Sequence, residues 1–314
     1  MTPGTGRSVN PATTHLGAEL RTQPQDWLRV SGRVAELADR LPAPGQRVAV
    51  VGCGTSYHMA MAYAVLREAA GRGLTDAFPA SEHHLGRGYD RVLAISRSGT
   101  TTEVVELLRE LRGHTPSTAI VATPDTPVTR LADQVVLLSE VDEQSVVQTR
   151  FATTTLALLR AHLGHDLAPV AQQAQALLDS PAAQVLGPLL QAEQVTFLGR
   201  GWTIGLALEA ALKLRESAQL WTEQYPAMEY RHGPISIAAP GRAVWALGEV
   251  PEGLADQVRG TGAHFEHADR DPMAELVRVH LLSEAAAGAR GLDPDHPRGL
   301  NRAVVLDRVT PDAR

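Results

Sequence analysis

The chain has 314 residues, with 29 basic and 35 acidic side chains and a formal net charge of −6 at pH 7, a size that suits two domains or one large α/β unit. Its 44% hydrophobic and 20% charged content excludes a disordered chain. The lack of any apolar run of ~20 residues argues against a membrane span, and mild acidity without a basic run argues against a nucleic-acid partner. Of the 29 basic residues, only Lys213 is lysine and the rest are arginine. Arginine neither gives up its proton readily nor forms an imine, so the surviving ammonium is worth following.

Residues 1–16 carry Pro3, Gly4, Gly6 and Pro11 and read as a loose tail without the apolar centre of a secretion signal. A single cysteine, Cys53, precludes an internal disulfide and suits a reducing cytoplasm. Leu28, Val34 and Leu37 are spaced to cover one helical face. Gln46–Gly52 is a short apolar run ending in glycine, the mark of a buried parallel strand, and a helix from about Tyr57 to Ala70 follows. Tyr89–Ile95 predicts a second strand, about Thr102–Leu111 a helix, Thr118–Ala122 a third strand and Val135–Leu138 a fourth. This alternation implies a parallel sheet with helices on both faces.

After an Ala/Gln/Leu-rich helical region, Arg150–Leu178, the pattern restarts at the strand Gln194–Gly199, followed by another long helix. Val50-Val-Gly-Cys-Gly-Thr-Ser56 and Phe197-Leu-Gly-Arg-Gly-Trp-Thr203 share the form apolar, apolar, Gly, x, Gly, x, Ser/Thr. Ala243–Leu247 and Ala263–Glu266 supply further strands, and Ala303–Leu306 a last apolar run. The expected organisation is a tail over 1–16, a first domain over 17–180 and a second over 181–314 whose C-terminal tail closes the site. The fold class is α/β: two tandem doubly wound, Rossmann-like parallel-sheet domains of flavodoxin type.

The first glycine loop fails the dinucleotide fingerprint because Tyr57 stands where the third glycine belongs. Thr55 and Ser56 at a helix start serve either as plain N-caps or as part of an anion site. Ser96-Arg-Ser-Gly-Thr-Thr-Thr102 places five hydroxyls around one glycine at a strand end. Capping needs one; five make a cradle for phosphate oxygens. Thr123-Pro-Asp-Thr at the next strand end is either part of its rim or a plain turn.

On the helix Leu206–Leu220, Glu209, Lys213 and Glu216 fall at i, i+4 and i+7 and share a face, as a solvated ion-pair stripe or as an acid–base set. His232 follows in a polar and aromatic stretch before Pro234. His83-His84 and His264/His267 lack a regular ligand scaffold and read as surface histidines, so no metal is expected, and no cofactor.

Gly52-Cys-Gly-Thr-Ser56, Ile95-Ser-Arg-Ser-Gly-Thr-Thr101, Ala207-Leu-Glu-Ala-Ala-Leu-Lys-Leu-Arg-Glu216 and Glu229-Tyr-Arg-His-Gly-Pro234 together resemble the sugar isomerase (SIS) family. Within it the chain is similar to the isomerase half of the glucosamine-6-phosphate synthases, without a glutaminase domain, over roughly residues 17–308. The resemblance implies that Ser56, Ser96, Arg97, Ser98 and Thr101 hold the phosphate of a sugar or amino sugar. It also implies that Cys53, Gly54, Thr55, Gln148 and Arg302 contact the substrate. It makes Glu216 the group that moves a proton between C1 and C2, sets Lys213 near the enediolate and assigns ring opening to His232, reached across a homodimer with a shared active site. The family's imine-forming lysine aligns with Arg302, so glutamine-dependent amination is not expected. A phosphosugar isomerase or amino-sugar-phosphate deaminase is implied. The alternatives are a ketosamine-phosphate deglycase and a sugar-phosphate sensor without chemistry.

Overall fold

The computed structural model describes residues 14–306. Most of the expected tail lies outside the described residues, but from His15 the chain is already helical. Helices α1 (His15–Leu20), α2 (Gln23–Ser31) and α3 (Val34–Leu37) precede the first strand. Leu28 departs from the expected apolar face. It is 46% exposed, because α2 ends at Gly32 and turns Gln23, Trp27 and Val30 inward instead.

The first sheet then builds as β1 (Val48–Gly52), α4 (Thr55–Ala69), β2 (Thr75–Pro79), β3 (Arg91–Ile95), α5 (Thr102–Leu111), β4 (Ser117–Val121), α6 (Pro127–Leu131) and β5 (Gln134–Leu137). Its order is β2-β1-β3-β4-β5, all parallel, so the chain reverses direction across the sheet between β1 and β3. Three helices follow, α7 (Arg150–His162), α8 (Ala168–Leu178) and α9 (Ala182–Leu186), the first two parted at Gly164 where one long helical run was expected. The second sheet comprises β6 (Gln194–Gly199), α10 (Thr203–Ala218), β7 (Trp221–Pro226), β8 (Arg242–Leu247), α11 (Leu254–Gly260) and β9 (His264–Glu266), in parallel order β7-β6-β8-β9. Helix α12 (Pro272–Ala289) closes the unit.

Strands β2 and β7 were not anticipated. Both are edge strands of mixed polarity, and both end on a proline paired with the glycine that closes the central strand, Pro79 with Gly52 and Pro226 with Gly199. A proline cannot donate to a ladder, and an edge position tolerates that. Helix α12 was missed for the opposite reason. It is buried on nearly every side, so no apolar stripe shows in its sequence.

One apolar core runs through both halves, joining Val50, Leu93 and Ile120 of the first sheet to Val195, Phe197 and Trp245 of the second. Helices α4, α7, α10 and α12 contribute to this layer. Helices α4 and α10 approach so closely at Gly205 that a Cβ there would lie 2.4 Å from the His58 carbonyl oxygen. This crossing brings the loop after β1 to the polar face of α10.

The Ala303–Leu306 run forms no strand, and Val304, Val305 and Leu306 are exposed. Its backbone fastens to the start of α5: Thr102 N–H donates to the Val304 carbonyl (3.1 Å), and Leu306 N–H to Thr102 Oγ1 (2.8 Å).

Candidate active site

The loops that follow β1 and β3 meet where the strand order reverses, the position at which open parallel sheets hold ligands. There Cys53, Ser56, Ser96, Arg97, Ser98, Thr101, Gln148 and Arg302 line one polar cavity of about 30 Å³. The hydroxyls are not simple helix caps, since neither α4 nor α5 has a side-chain cap. Instead the loop organises itself. Ser96 Oγ accepts from Gly99 N–H (3.2 Å), and Ser98 Oγ accepts from Thr100 N–H (3.2 Å) and Thr100 Oγ1 (3.1 Å). With its acceptor side so occupied, each serine keeps its own proton to donate to an anion. Gly99 sits at φ +64°, and a Cβ there would fall 2.1 Å from Thr126 Oγ1, so this tight turn admits only glycine.

The arginines of the cavity serve the protein first. Arg97 is buried and donates to the carbonyls of Ser145 (2.8 Å), Val146 (3.1 Å) and Arg302 (3.1 Å), with Glu143 Oε2 at 3.6 Å. Arg302 donates to the Glu143 carbonyl, the Asp142 carboxylate and Thr123 Oγ1 (3.3 Å). The two guanidinium charges are thus answered by Glu143 and Asp142, and the arginines tie the C-terminal segment and the 142–148 loop to the cradle. Neither Asp142 nor Glu143 was singled out in the sequence, because no motif marks the counter-ion of a buried arginine. Gln148 Oε1 is buried without a partner, an acceptor that a sugar hydroxyl can satisfy. Burial, with Glu103 adding to it, pushes the Cys53 thiol up to about 11, so Cys53 presents a thiol to the cavity.

Gly54 and Thr55 lie outside the cavity lining. Gly54 makes the turn into α4 at φ 52°, while Thr55 points toward α10. Its Oγ1 donates to Glu209 Oε1 (3.1 Å) and accepts from Lys213 Nζ (3.0 Å). Lys213 also meets Glu216 Oε2 at 2.6 Å and Glu209 Oε1 at 3.3 Å, which accounts for all three of its N–H donors. The stripe on α10 is therefore a buried network and not a solvated one. Its three members differ in access: the Lys213 and Glu209 side chains are 1% and 2% exposed, and Glu216 is 18% exposed.

Burial alone would drive the Glu209 carboxyl up, but Lys213 and the His58 hydrogen bond (Nδ1 to Oε2, 2.9 Å) overcome it and hold Glu209 at about 2. Burial likewise works against the Lys213 ammonium, and Glu209 and Glu216 reverse it, raising Lys213 above its usual range. His280 of α12 is fully buried nearby. Its burial, with Lys213 adding to it, pulls it down to about 3 against the pull of Glu209. Glu209 is the sequestered counter-ion, and Glu216 is the carboxylate that can meet a substrate. Lys213, with its donors engaged and its surface covered, positions Glu216.

His232 ends a short 3-10 turn, Glu229–His232, after β7. It is exposed and has no hydrogen bond to Glu216 or Lys213, so the chain by itself does not bring these groups together. His58 escaped notice although it lies three residues beyond Thr55, one helical turn along the same face. The weak histidines are accounted for locally: His84 packs edge-on to Phe78, and His264 bonds to Glu266 at 2.8 Å.

Residues 43–163 match the SIS domain family. Among curated proteins, the chain is similar to glutamine–fructose-6-phosphate aminotransferase (isomerizing) of Sulfurisphaera tokodaii, 29% identical over 297 residues covering 83% of this chain and 50% of that one. The same enzyme of Methanothermobacter thermautotrophicus is 28% identical over 328 residues, covering 90% and 54%. The chain spans about half the length of the curated relatives it matches. Among solved structures, glucosamine-6-phosphate deaminase of Thermotoga maritima superposes with a TM-score of 0.81 at 23% identity, covering 93% of this chain and 100% of that one. Tagatose-6-phosphate ketose/aldose isomerase of Escherichia coli gives 0.75 at 18% identity, covering 98% and 99%. These likenesses establish the fold.

Proposed function

We propose that the chain belongs to the SIS family, whose domain model matches residues 43–163, and that it is a phosphosugar isomerase or amino-sugar-phosphate deaminase acting on a hexose or hexosamine 6-phosphate. The second sheet is read as a second copy of the same domain, in tandem with the first. The observation that carries the proposal is the chain of contacts from the cradle to a carboxylate. Ser56 lines the cavity, its neighbour Thr55 binds Lys213 at 3.0 Å, and Lys213 holds Glu216 at 2.6 Å.

In this reading the Ser56, Ser96, Ser98 and Thr101 hydroxyls hold the phosphate, while Arg97 and Arg302 keep the cradle walls in place. Glu216 takes the proton from one of C1 and C2 of the open-chain sugar and returns it to the other. Lys213 fixes the direction of that carboxylate, and its charge favours the enediolate at short range. Ring opening falls to His232 of the partner subunit in a homodimer. With a 2-amino sugar, moving the proton from C2 to C1 leaves an imine at C2. Its hydrolysis by water gives a ketose phosphate and ammonia. Arg302 is bound to Asp142 and Glu143 and cannot form an imine, so transfer of nitrogen from glutamine is not part of the proposal.

The test is an ammonia-release and aldose–ketose isomerisation screen over hexose and hexosamine 6-phosphates, repeated with Glu216→Gln. Turnover of at least one compound, abolished in the variant, is expected. Full turnover by Glu216→Gln, or none by the wild type, refutes the proposal.

A further inference from the structure

A second polar cavity, of about 500 Å³, lies between α8, α9, the end of β9 and the N-terminal half of α12, and shares no lining residue with the hydroxyl-lined one. Its chemistry is set by Arg278, which is 8% exposed and lies over the Trp245 ring at 4.9 Å. Arg278 Nε donates to the Val185 carbonyl (2.6 Å), and Nη1 to Glu266 Oε1 (2.7 Å) and Glu275 Oε1 (2.9 Å). Its Nη2 donates to nothing among the described residues. Glu275 Oε2 accepts from Arg270 Nη1 at 2.9 Å, so one buried carboxylate holds two guanidinium groups side by side.

Around this cavity the acceptors are spent and the donors are left over. Glu266 gives Oε1 to Arg278 and Oε2 to His264 (2.8 Å), and Glu275 gives one oxygen to each arginine. No carboxylate oxygen of either residue stays free to repel an anion. Against these stand Arg278 Nη2, the Nε and Nη2 of Arg270, and the Nε2 of Gln173, whose Oε1 already accepts from Asp271 N–H (2.7 Å). Two arginines and one glutamate line the space, since Glu275 lies behind it. An ion network that only fastened β9 to α12 would leave no such surplus beside a space of ligand size. We propose that this cavity binds the phosphate group of a small organic phosphate ester, with Arg278 Nη2 and Arg270 as the charged donors and Gln173 as the neutral one. A tetrahedral phosphate offers oxygens in three directions, which suits donors arriving from α8, α12 and the turn between β9 and α12. A planar carboxylate offers only two. The site is separate from the reaction proposed above and rests on none of it.

The test is equilibrium dialysis of the whole chain against radiolabelled inorganic phosphate, in the wild type, Arg270→Gln, Ala268→Glu and Ser98→Ala. Ala268 lines the cavity, so Ala268→Glu adds a carboxylate there and removes no ion pair, which keeps the test open if Arg270→Gln loosens the network. The wild type should show two classes of site. Arg270→Gln and Ala268→Glu should each weaken one class by about tenfold or more, the scale of a hydrogen bond to a charged group, and Ser98→Ala only the other. A single class that neither cavity variant changes overturns this site and leaves the proposed phosphate cradle standing. A single class lost in both cavity variants and unchanged in Ser98→Ala sustains this site and overturns the cradle. No bound phosphate overturns both. Glycerol phosphate should displace phosphate from this cavity at a lower concentration than phosphate itself, because there is room for the rest of the molecule. Failure to displace it overturns the ester.

Discussion

The loop after β1 and the loop after β6 have nearly the same sequence form and the same turn, with Gly54 at φ 52° and Gly201 at φ 56°, yet they end in different structures. In the first, Ser56 opens onto a cavity that the loop after β3 fills with hydroxyls. In the second, Thr203 turns back on its own loop: Arg200 N–H donates to its Oγ1 at 2.8 Å, and Gly248 lies so close that a Cβ there would fall 3.0 Å from Thr203 Cγ2. Arg200 pairs with Glu249 across the mouth, and Trp202 lies under Arg160, which grips Asp271 with two bonds of 2.8 and 2.7 Å. That second loop is a joint between α7, α10 and α12. A glycine turn at a strand end therefore does not by itself open a polar cavity. The hydroxyls of the neighbouring loop decide. The second unit contributes elsewhere, through the polar face of α10.

This division of labour can be broken at either end. The largest effect is expected from Glu216→Gln, which removes the proposed proton shuttle and leaves the hydroxyl-lined cavity intact. Turnover should fall by about 10²–10⁴ with little change in KM, measured on whichever phosphosugar the enzyme accepts. Lys213→Met strikes the same helix through stability. It strands Glu209, 2% exposed, without its counter-ion, and should cost about 3–5 kcal/mol by urea unfolding. Adding Glu209→Gln should restore much of that loss, because the partnerless charge is then gone.

Acid should loosen this same centre before it affects the cradle. His280 is held at about 3, well below its ordinary 6.5, so between those values the unfolded chain binds a proton that the folded chain refuses. Stability therefore rises with pH in that window and is lost as pH falls from 6.5 toward 3. Glu209, held at about 2 against an ordinary 4.5, adds its own loss only as pH drops below 4.5. The thermal midpoint should thus begin to fall below pH 6.5. His280→Asn, which keeps an acceptor for Gln23, should shrink the loss in that window, leaving the part that comes from His162 and His165, which burial also holds below their ordinary value. An unchanged profile in that variant would assign the loss to other groups.

Much of this was legible in the sequence where one residue pattern had one physical outcome. The strand Gln194–Gly199 and the helix Thr102–Leu111 fall where the apolar runs and flanking turns place them. The hydroxyl-lined cavity was readable because five hydroxyls around a glycine exceed what capping requires. Helix α12 was illegible because a helix buried on all sides has no stripe, and β2 and β7 because edge strands need no continuous apolar run. The partners of Arg97 and Arg302 stayed hidden for another reason. Asp142 and Glu143 approach Arg302 from about half the chain's length away, and only the folded C-terminal segment brings them together.

The finest test of the two loops pairs Ser98→Ala with Thr203→Ala, one hydroxyl removed from each sheet's switch point. Ser98 Oγ accepts from Thr100 N–H and Oγ1, so its proton is the one free to reach a phosphate oxygen. A hydrogen bond to a charged group is worth about 1.5–3 kcal/mol, so KM should rise by roughly 10- to 100-fold. Thr203 Oγ1 serves only the backbone of its own turn, accepting from Arg200 N–H and donating to the Arg200 carbonyl. Its loss should cost about 1 kcal/mol of stability, as for a helix-start hydroxyl, and leave KM where it was. If Thr203→Ala raised KM as much as Ser98→Ala, the second loop would be a ligand site after all, and the distinction between turn and cradle would fall.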